Sequence, residues 1–262
     1  MKDRLRGVRT LVHGHSSTHR LVALPHSGGR AENFGCWAER MPAVPGTERL
    51  ELCAIQYPGH GDRIAEEPVA DVVDLARQIV SELLPLPAMP LVLFGHSFGS
   101  VVACEVAHAC ELAGLKLELV VVSSSWAVND PARPASLEHL LPSPELWQRI
   151  VSLGGIDPRA ANAPELRDLL LPVLRNDMAA QERYLTRRVL RPLSCDLQVY
   201  LADQDPLVPV RASAGWARQT KGRVTTCIRS GGHFHVFDNP TPLLRALVDR
   251  LAVSPTTKMR LT

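Results

Sequence analysis

The sequence predicts an α/β fold in which a mostly parallel central sheet is flanked by helices. Short apolar runs, helical patterns between them and an ordinary globular composition support this prediction. The 262 residues are 45% hydrophobic and 21% charged, which is enough apolar mass for a large core and excludes a disordered chain, collagen and a coiled coil. Because 29 basic and 27 acidic residues leave a net charge of +2, bulk electrostatics give no reason to expect nucleic-acid binding.

The strands are predicted from apolar runs of the length and residue type found in strands that are buried on both faces. Helical patterns lie between several of these runs, and strands that alternate with helices favour a parallel sheet covered on both sides. The predicted strands are 21–24, 52–55, 91–94, 117–122, 197–201 and 223–228, and the clearest predicted helices are 69–84, 101–115 and 242–251.

The predicted organisation is an irregular N-terminal lead-in over residues 1–20, followed by a single domain over 21–262. Prolines recur between residues 126 and 192, separating short segments of helical spacing, and this pattern predicts an insert of small helices. The first twenty residues lack the apolar run of a secretory signal and no long apolar stretch comes after them, so we expect a cytoplasmic protein. The six scattered cysteines suit reduced, mostly buried thiols, and no metal site is expected.

The sharpest motif is Gly95-His96-Ser97-Phe98-Gly99, which follows the predicted strand 91–94 and precedes a predicted helix. This is the setting of the G-x-S-x-G nucleophile elbow, a tight turn that presents a serine between strand and helix. Small residues before and after the serine let the two elements approach, and Oγ lies near the positive end of the helix dipole. The alternative interpretation is a glycine-rich turn whose serine has no catalytic role. We expect Ser97 to be a nucleophile.

A serine nucleophile needs a general base and an orienting carboxylate. In α/β-hydrolases these groups come in the order serine, acid, histidine. Asp205 is favoured over Asp203 because Asp203 could simply cap the turn that they share. His233 is favoured over His235 because two glycines precede it, and His235 is then a packed or exposed neighbour. The predicted catalytic triad is therefore Ser97, Asp205 and His233.

An acyl-transfer site also needs backbone donors for the oxyanion, one after the nucleophile and one after an early strand. Phe98 supplies the first amide. We assign the second to Ser27, which comes after the predicted strand 21–24, with Gly28 as the competing choice. A glycine turn without a catalytic role is the alternative.

The remaining polar clusters have simpler interpretations. His96 is expected to be a packed residue, and nucleotide-binding motifs are absent from the sequence. Four further histidines show no metal-ligand spacing, and four arginines fit a solvated helix face or, alternatively, a docking patch for an acidic partner. These residues are His13, His15, His19 and His26, and Arg183, Arg187, Arg188 and Arg191.

The motifs together resemble the type II thioesterases of polyketide and nonribosomal peptide synthetases, a branch of the α/β-hydrolases, over about residues 21–251. The resemblance rests on Pro25-His26-Ser27-Gly28-Gly29 with Phe34 and Trp37, Tyr57-Pro58-Gly59, Gly95-His96-Ser97 with Glu105, residues 171–177 with Tyr184, and Gly232-His233-Phe234. It implies hydrolysis of acyl groups from the phosphopantetheine arm of a partner carrier protein. It further implies an insert that covers the acyl pocket. We expect no cofactor of the enzyme's own, no nucleic-acid or membrane partner, and a monomer.

Three positions depart from the family pattern. Phe98 stands where a methionine is usual, Ser100 stands where a small residue ends the motif, and His60 replaces an arginine. We expect the ring of Phe98 to reshape the acyl pocket. The fold does not fix the substrate, so three alternatives remain. The protein could be a carboxylesterase, lipase or peptidase, it could be an acyltransferase or cyclising thioesterase, or it could be a non-catalytic scaffold.

Overall fold

A computed structural model describes residues 6–14, 16–156, 159, 161–186 and 191–252. Within these ranges, a seven-stranded sheet has the order β1-β3-β2-β4-β5-β6-β7. The strands are β1 (Val8–Val12), β2 (His19–Leu24), β3 (Leu50–Ile55), β4 (Leu91–His96), β5 (Leu117–Ser123), β6 (Asp196–Ala202) and β7 (Val224–Arg229).

All neighbouring strands in the sheet pair in parallel except β1 and β3, which are antiparallel. The carboxyl ends of β2, β4, β5, β6 and β7 therefore meet at one edge of the sheet. Loops at that edge are where open α/β sheets bind their ligands. The predicted mostly parallel sheet, and its strands, are confirmed.

The prediction of an irregular lead-in is wrong over Val8–Val12, which form the edge strand β1. Val8 is buried and pairs with Ile55, and the Glu82 carboxylate accepts hydrogen bonds from the Gly7 and Val8 amides at 2.6 and 3.2 Å. An edge strand buries few of its residues, so its sequence lacks the continuous apolar run that identifies the central strands. Residues 1–5 and 15 of the predicted lead-in lie outside the described residues.

The helices of the described residues cover both faces of the sheet. One apolar cluster lies between the sheet and helices α2 and α3, and a second lies between the sheet and helices α1 and α7. The helices predicted at 69–84, 101–115 and 242–251 are confirmed as α2, α3 and α7. The bounds are α1 (Gly35–Arg40), α2 (Val72–Leu83), α3 (Phe98–Leu112), α4 (Ser143–Ser152), α5 (Pro164–Leu185), α6 (His235–Asp238) and α7 (Thr241–Ala252).

The chain between β5 and β6 contains α4 and α5, as the predicted helical insert requires. The expectation of small helices is wrong for α5, which runs for 22 residues through Pro172. A proline removes a single donor from the helical ladder, and packing of Leu171 and Leu174 against α4 residues Leu146 and Ile150 offsets that loss. Residues 157, 158, 160 and 187–190 of the insert, and 253–262 of the predicted domain, lie outside the described residues.

In the part of the chain that the structure describes, no helix combines the length and hydropathy needed to cross a bilayer.

Candidate active site

Ser97 occupies the turn between β4 and α3, with a φ of 54° and a ψ of −118°. This positive-φ conformation is strained for a residue with a side chain. A Cβ on Gly95 would lie 2.0 Å from the Gly99 carbonyl oxygen, and a Cβ on Gly99 would lie 2.1 Å from the Leu24 carbonyl oxygen. Both glycines are therefore required for the close approach of strand, turn and helix, as the elbow motif predicts.

Ser100 stabilises the base of this turn. Its Oγ donates to the Gly95 carbonyl at 2.8 Å or to the Ser123 carbonyl at 3.0 Å, and accepts from the Ser123 amide at 3.0 Å. Ser100, which departs from the family pattern, therefore links the ends of β4 and β5 by hydrogen bonds.

His233 and Asp205 form a buried pair at the carboxyl edge of the sheet. Nδ1 of His233 lies 2.8 Å from Oδ2 of Asp205, while Oδ1 accepts from the Leu207 and Val208 amides at 2.9 and 3.2 Å. Burial favours a raised pKa for Asp205, but the hydrogen bond and charge of His233, with the Leu207 amide, outweigh it and lower that pKa. Asp205 is thus held as a carboxylate against the imidazole.

The alternative residues have other partners. Asp203 is exposed and its Oδ1 accepts the Gly231 amide at 3.0 Å, so it ties the loop after β6 to the loop that holds His233. His235 is buried, and its ring nitrogens have no hydrogen-bond partner among the described residues. Burial lowers the pKa of His235. The structure therefore pairs Asp205 with His233, and neither alternative takes part in that pair.

Ser97 and His233 line one cavity of about 570 Å³ together with Ser27 and Phe234. Among the described residues no hydrogen bond joins the Ser97 hydroxyl to the His233 ring. Catalytic hydrogen bonds often shorten only when substrate binds, so the two groups remain compatible with nucleophile and base.

The amides expected to bind an oxyanion differ in their partners. The Gly28 amide donates to Oδ2 of Asp177 at 2.8 Å, so it is engaged already. The Ser27 and Phe98 amides have no acceptor in the described ranges. The geometry therefore favours Ser27 over Gly28 as the second donor beside Phe98.

One wall of the cavity comes from the chain between β5 and β6. It is mostly apolar and includes Leu141, Ile150, Leu153, Ile156, Leu170, Leu174 and Met178. Two ion pairs, Arg133 with Glu182 and Arg149 with Glu138, lie at its polar side. Such a cavity suits an apolar group attached to a polar one.

The expectation that the Phe98 ring reshapes this cavity is wrong. The ring is 1% exposed and packs edge-on against Tyr57 at 5.9 Å between centroids. It belongs to the core between the sheet and α3, and it is not among the described residues that line the cavity. At the first position of α3, the side chain of Phe98 is directed into the core.

The other histidines mostly have packing roles. His96 is buried, as expected, with Nδ1 3.1 Å from Ser123 Oγ. His26 donates from Nδ1 to the Ser27 carbonyl at 3.0 Å, and burial lowers its pKa to about 4. No group of three potential metal ligands forms within the described residues. His15 lies outside those residues.

The predicted arginine cluster is only partly described. Arg191 forms an ion pair with Glu105 at 3.0 Å, and Tyr184 donates to the same carboxylate at 2.8 Å. Arg183 donates to the Ala70 carbonyl. Arg187 and Arg188 lie outside the described residues, so the solvated-face interpretation stays a prediction.

The sequence did not reveal the roles of Asp177 and His60. These residues are 117 positions apart, yet Oδ2 of Asp177 lies 2.8 Å from Nε2 of His60. Both residues stand in segments that the family resemblance had singled out, Asp177 at the end of residues 171–177 and His60 in place of an arginine, but neither segment revealed that the two side chains pair.

The fold and the arrangement around Ser97 define the class of α/β-hydrolases. The family model described as Thioesterase domain matches residues 19–251, and the chain belongs to this family. The chain is 36% identical to thioesterase PikA5 of Streptomyces venezuelae, across 91% of this chain and 83% of that protein. It is 27% identical to the gramicidin S biosynthesis protein GrsT of Aneurinibacillus migulanus, across 88% of each.

A solved structure with the same fold is that of the type II thioesterase BorB from the borrelidin biosynthetic cluster. It superposes with a TM-score of 0.82 at 31% identity, over 94% of this chain and 97% of that one. The similarity therefore extends through the sheet, the elbow and the helices between β5 and β6.

Proposed function

We propose that this protein is a type II thioesterase that hydrolyses acyl groups from the phosphopantetheine arm of acyl or peptidyl carrier proteins in polyketide or nonribosomal peptide biosynthesis. The observation that supports it best is the buried His233–Asp205 pair, whose histidine lines the same cavity as a strained serine at an elbow. The relatives, which include a thioesterase and a type II thioesterase, support the same reaction.

The first half of the reaction forms an acyl-enzyme. Asp205 accepts a hydrogen bond from Nδ1–H of His233, and the proton stays on the ring. Nε2 is therefore unprotonated and can take the proton of Ser97. Oγ of Ser97 then attacks the thioester carbonyl, and the Phe98 and Ser27 amides stabilise the oxyanion. The carbon–sulfur bond breaks and the phosphopantetheine thiol leaves with the proton from His233.

The second half releases a free acid. Water gives a proton to His233 and attacks the acyl-serine ester, and Ser97 recovers its proton as the ester bond breaks. A thiolate is a good leaving group, so the first half needs little acid assistance.

The apolar wall of the cavity would hold the acyl chain, and the enzyme needs no cofactor of its own. The cytoplasmic location and monomeric state stay predictions.

The experiment is intact-protein mass spectrometry of carrier proteins loaded with a panel of acyl groups. Wild type should remove the acyl mass and release free acid, whereas Ser97→Ala should leave the carriers loaded. Ser152→Ala, at the exposed end of α4 and outside the cavity, is the matched control and should act as wild type.

Other outcomes identify the alternatives. Loaded carriers that stay intact while a simple ester is hydrolysed would show a carboxylesterase. An ester, amide or cyclic product in place of the acid would show an acyltransferase or cyclising enzyme. A serine-directed phosphonate that fails to label Ser97 would show a non-catalytic scaffold.

A further inference from the structure

A buried polar network joins three separate parts of the chain next to the oxyanion loop. Asp177 lies on α5 and is 2% exposed, and His60 lies in the loop after β3 and is 3% exposed. Oδ2 of Asp177 accepts the Gly28 amide at 2.8 Å and lies 2.8 Å from Nε2 of His60. One carboxylate oxygen therefore connects α5, the His60 loop and the loop that contains Ser27.

The hydrogen-bond partners of His60 determine its protonation. Nδ1 lies 2.8 Å from the Pro58 carbonyl oxygen, and Nε2 faces the Asp177 carboxylate. A carbonyl oxygen and a carboxylate oxygen only accept, so both ring nitrogens must donate, and a ring with two N–H groups is an imidazolium. The same Asp177 oxygen also accepts the Gly28 amide.

We propose that His60 is a positively charged positioning residue for the oxyanion hole. The imidazolium fixes the Asp177 carboxylate, the carboxylate fixes the Gly28 amide, and the preceding Ser27 amide is thereby kept turned toward the reacting carbonyl. This role rests on the proposed thioesterase function. His60 does not touch the substrate, so it acts through Asp177 and Gly28.

Gly28 has a positive φ that glycine adopts readily, and it lies against α5. Its φ is +68°, and a Cβ at this position would lie 2.7 Å from Cδ2 of Leu174. The loop therefore packs directly on α5, and the Asp177 bond fixes the amide on the same helix. Displacement of the donors by even 1 Å costs on the order of 100-fold in rate.

The charge of His60 makes this arrangement dependent on pH. Burial favours a lowered pKa for His60, but Asp177 outweighs it and raises that pKa. Among the described residues, the other charged or titratable groups that interact with the ring include Arg63, His26 and Tyr57. The proton is lost as pH rises through the raised pKa, so we expect kcat to fall on the alkaline side.

Nuclear magnetic resonance of the histidine rings tests the charge without any change at His60. The sample is Ser97→Ala with ¹⁵N-labelled histidine, and the His60 ring is assigned through its contact with the Tyr57 ring, 5.5 Å away between centroids. At pH 7 both ring nitrogens should show the protonated chemical shift. One protonated and one bare nitrogen at that pH would overturn the proposal.

Steady-state kinetics on a loaded carrier tests the positioning role. His60→Gln keeps a donor toward Asp177 without the charge, and should lower kcat about 10- to 100-fold with little change in KM. His60→Arg keeps a charge at all accessible pH values, and should recover kcat and lose the alkaline fall. His13→Gln, at an exposed position, is the matched control and should leave kcat and its pH profile unchanged.

The opposite results are equally specific. Thermal unfolding first shows whether His60→Gln and His60→Arg are folded. If neither is folded, the NMR measurement of the His60 ring in Ser97→Ala still tests the charge. A folded His60→Gln with wild-type kcat, or an unchanged alkaline fall in His60→Arg, would overturn the positioning role alone. A wild type without thioesterase activity would instead overturn the proposed function, whatever the charge of His60.

Discussion

Two aspartates two positions apart, in the loop after β6, have different tasks because one is buried and the other is exposed. Asp205 is buried and accepts from His233 and from the Leu207 and Val208 amides. Asp203 is exposed and accepts from Gly231. The sequence favoured Asp205 from its position in the turn, and the contacts give the physical reason, because only one carboxylate reaches the imidazole.

The two aspartates should respond differently to the same substitution. Asp205→Asn replaces the acceptor for Nδ1–H and favours the wrong tautomer of His233, so kcat should fall about 1,000- to 10,000-fold. Asp203→Asn keeps an oxygen for the Gly231 amide and should change kcat by less than about 3-fold. Hydrolysis of a loaded carrier measures both, and equal losses would contradict the assignment.

At the scale of elements, the strand–turn–helix unit places the nucleophile and the long helix α5 completes the site. The elbow could be predicted because its motif is local: the glycines and the serine lie within five positions. The role of α5 could not, because Asp177 meets Gly28 and His60 only after the chain has folded. Pro172 also concealed the length of α5, since proline is usually a helix breaker.

The close packing of the elbow predicts a strong effect of one added methyl group. In Gly99→Ala the new Cβ would collide with the Leu24 and Pro25 carbonyl oxygens, at 2.1 and 2.6 Å, and backbone atoms cannot move aside easily. We expect the free energy of unfolding to fall by at least about 2 kcal/mol. Urea denaturation measures this change.

The matched control is Gly35→Ala, at the first position of α1. Gly35 has helical backbone angles and no heavy atom within 4 Å of an added Cβ. Alanine there should be neutral or stabilising by up to about 1 kcal/mol. Equal destabilisation of both variants would show that the elbow is not the constraint.

For the whole molecule, continuous sequence patterns predicted the central buried elements, whereas the partly buried edge strand and the side-chain contacts between distant parts of the chain were missed. The central strands were recognisable because both of their faces are covered, as in β4 and β5. The edge strand β1 was not, because only Val8 is fully buried. In the site, Ser97 and the loops with Asp205 and His233 were predictable from motif order, whereas the direction of the Phe98 ring depended on packing.

The buried histidines together should give the molecule a stability maximum near neutral pH. Burial lowers the pKa of His26, His96 and His235, so the unfolded chain binds more protons than the folded one as pH falls below 6.5. The pKa of His60 is raised instead. The contribution of His60 to the free energy of unfolding is complete below pH 6.5 and is lost as pH rises through the pKa of the folded state. Stability therefore declines on both the acid and the alkaline side of the maximum.

His26 allows the acid side of this maximum to be tested. Its pKa is lowered from 6.5 to about 4, which corresponds to about 3 kcal/mol of folding free energy lost as pH falls from 6.5 to 4. His26→Gln cannot take up this proton, so urea unfolding across that range should show a smaller decline than in wild type. His13→Gln, an exposed position, should keep the wild-type decline. The same pH dependence in His26→Gln and wild type would show that the proton is taken up elsewhere.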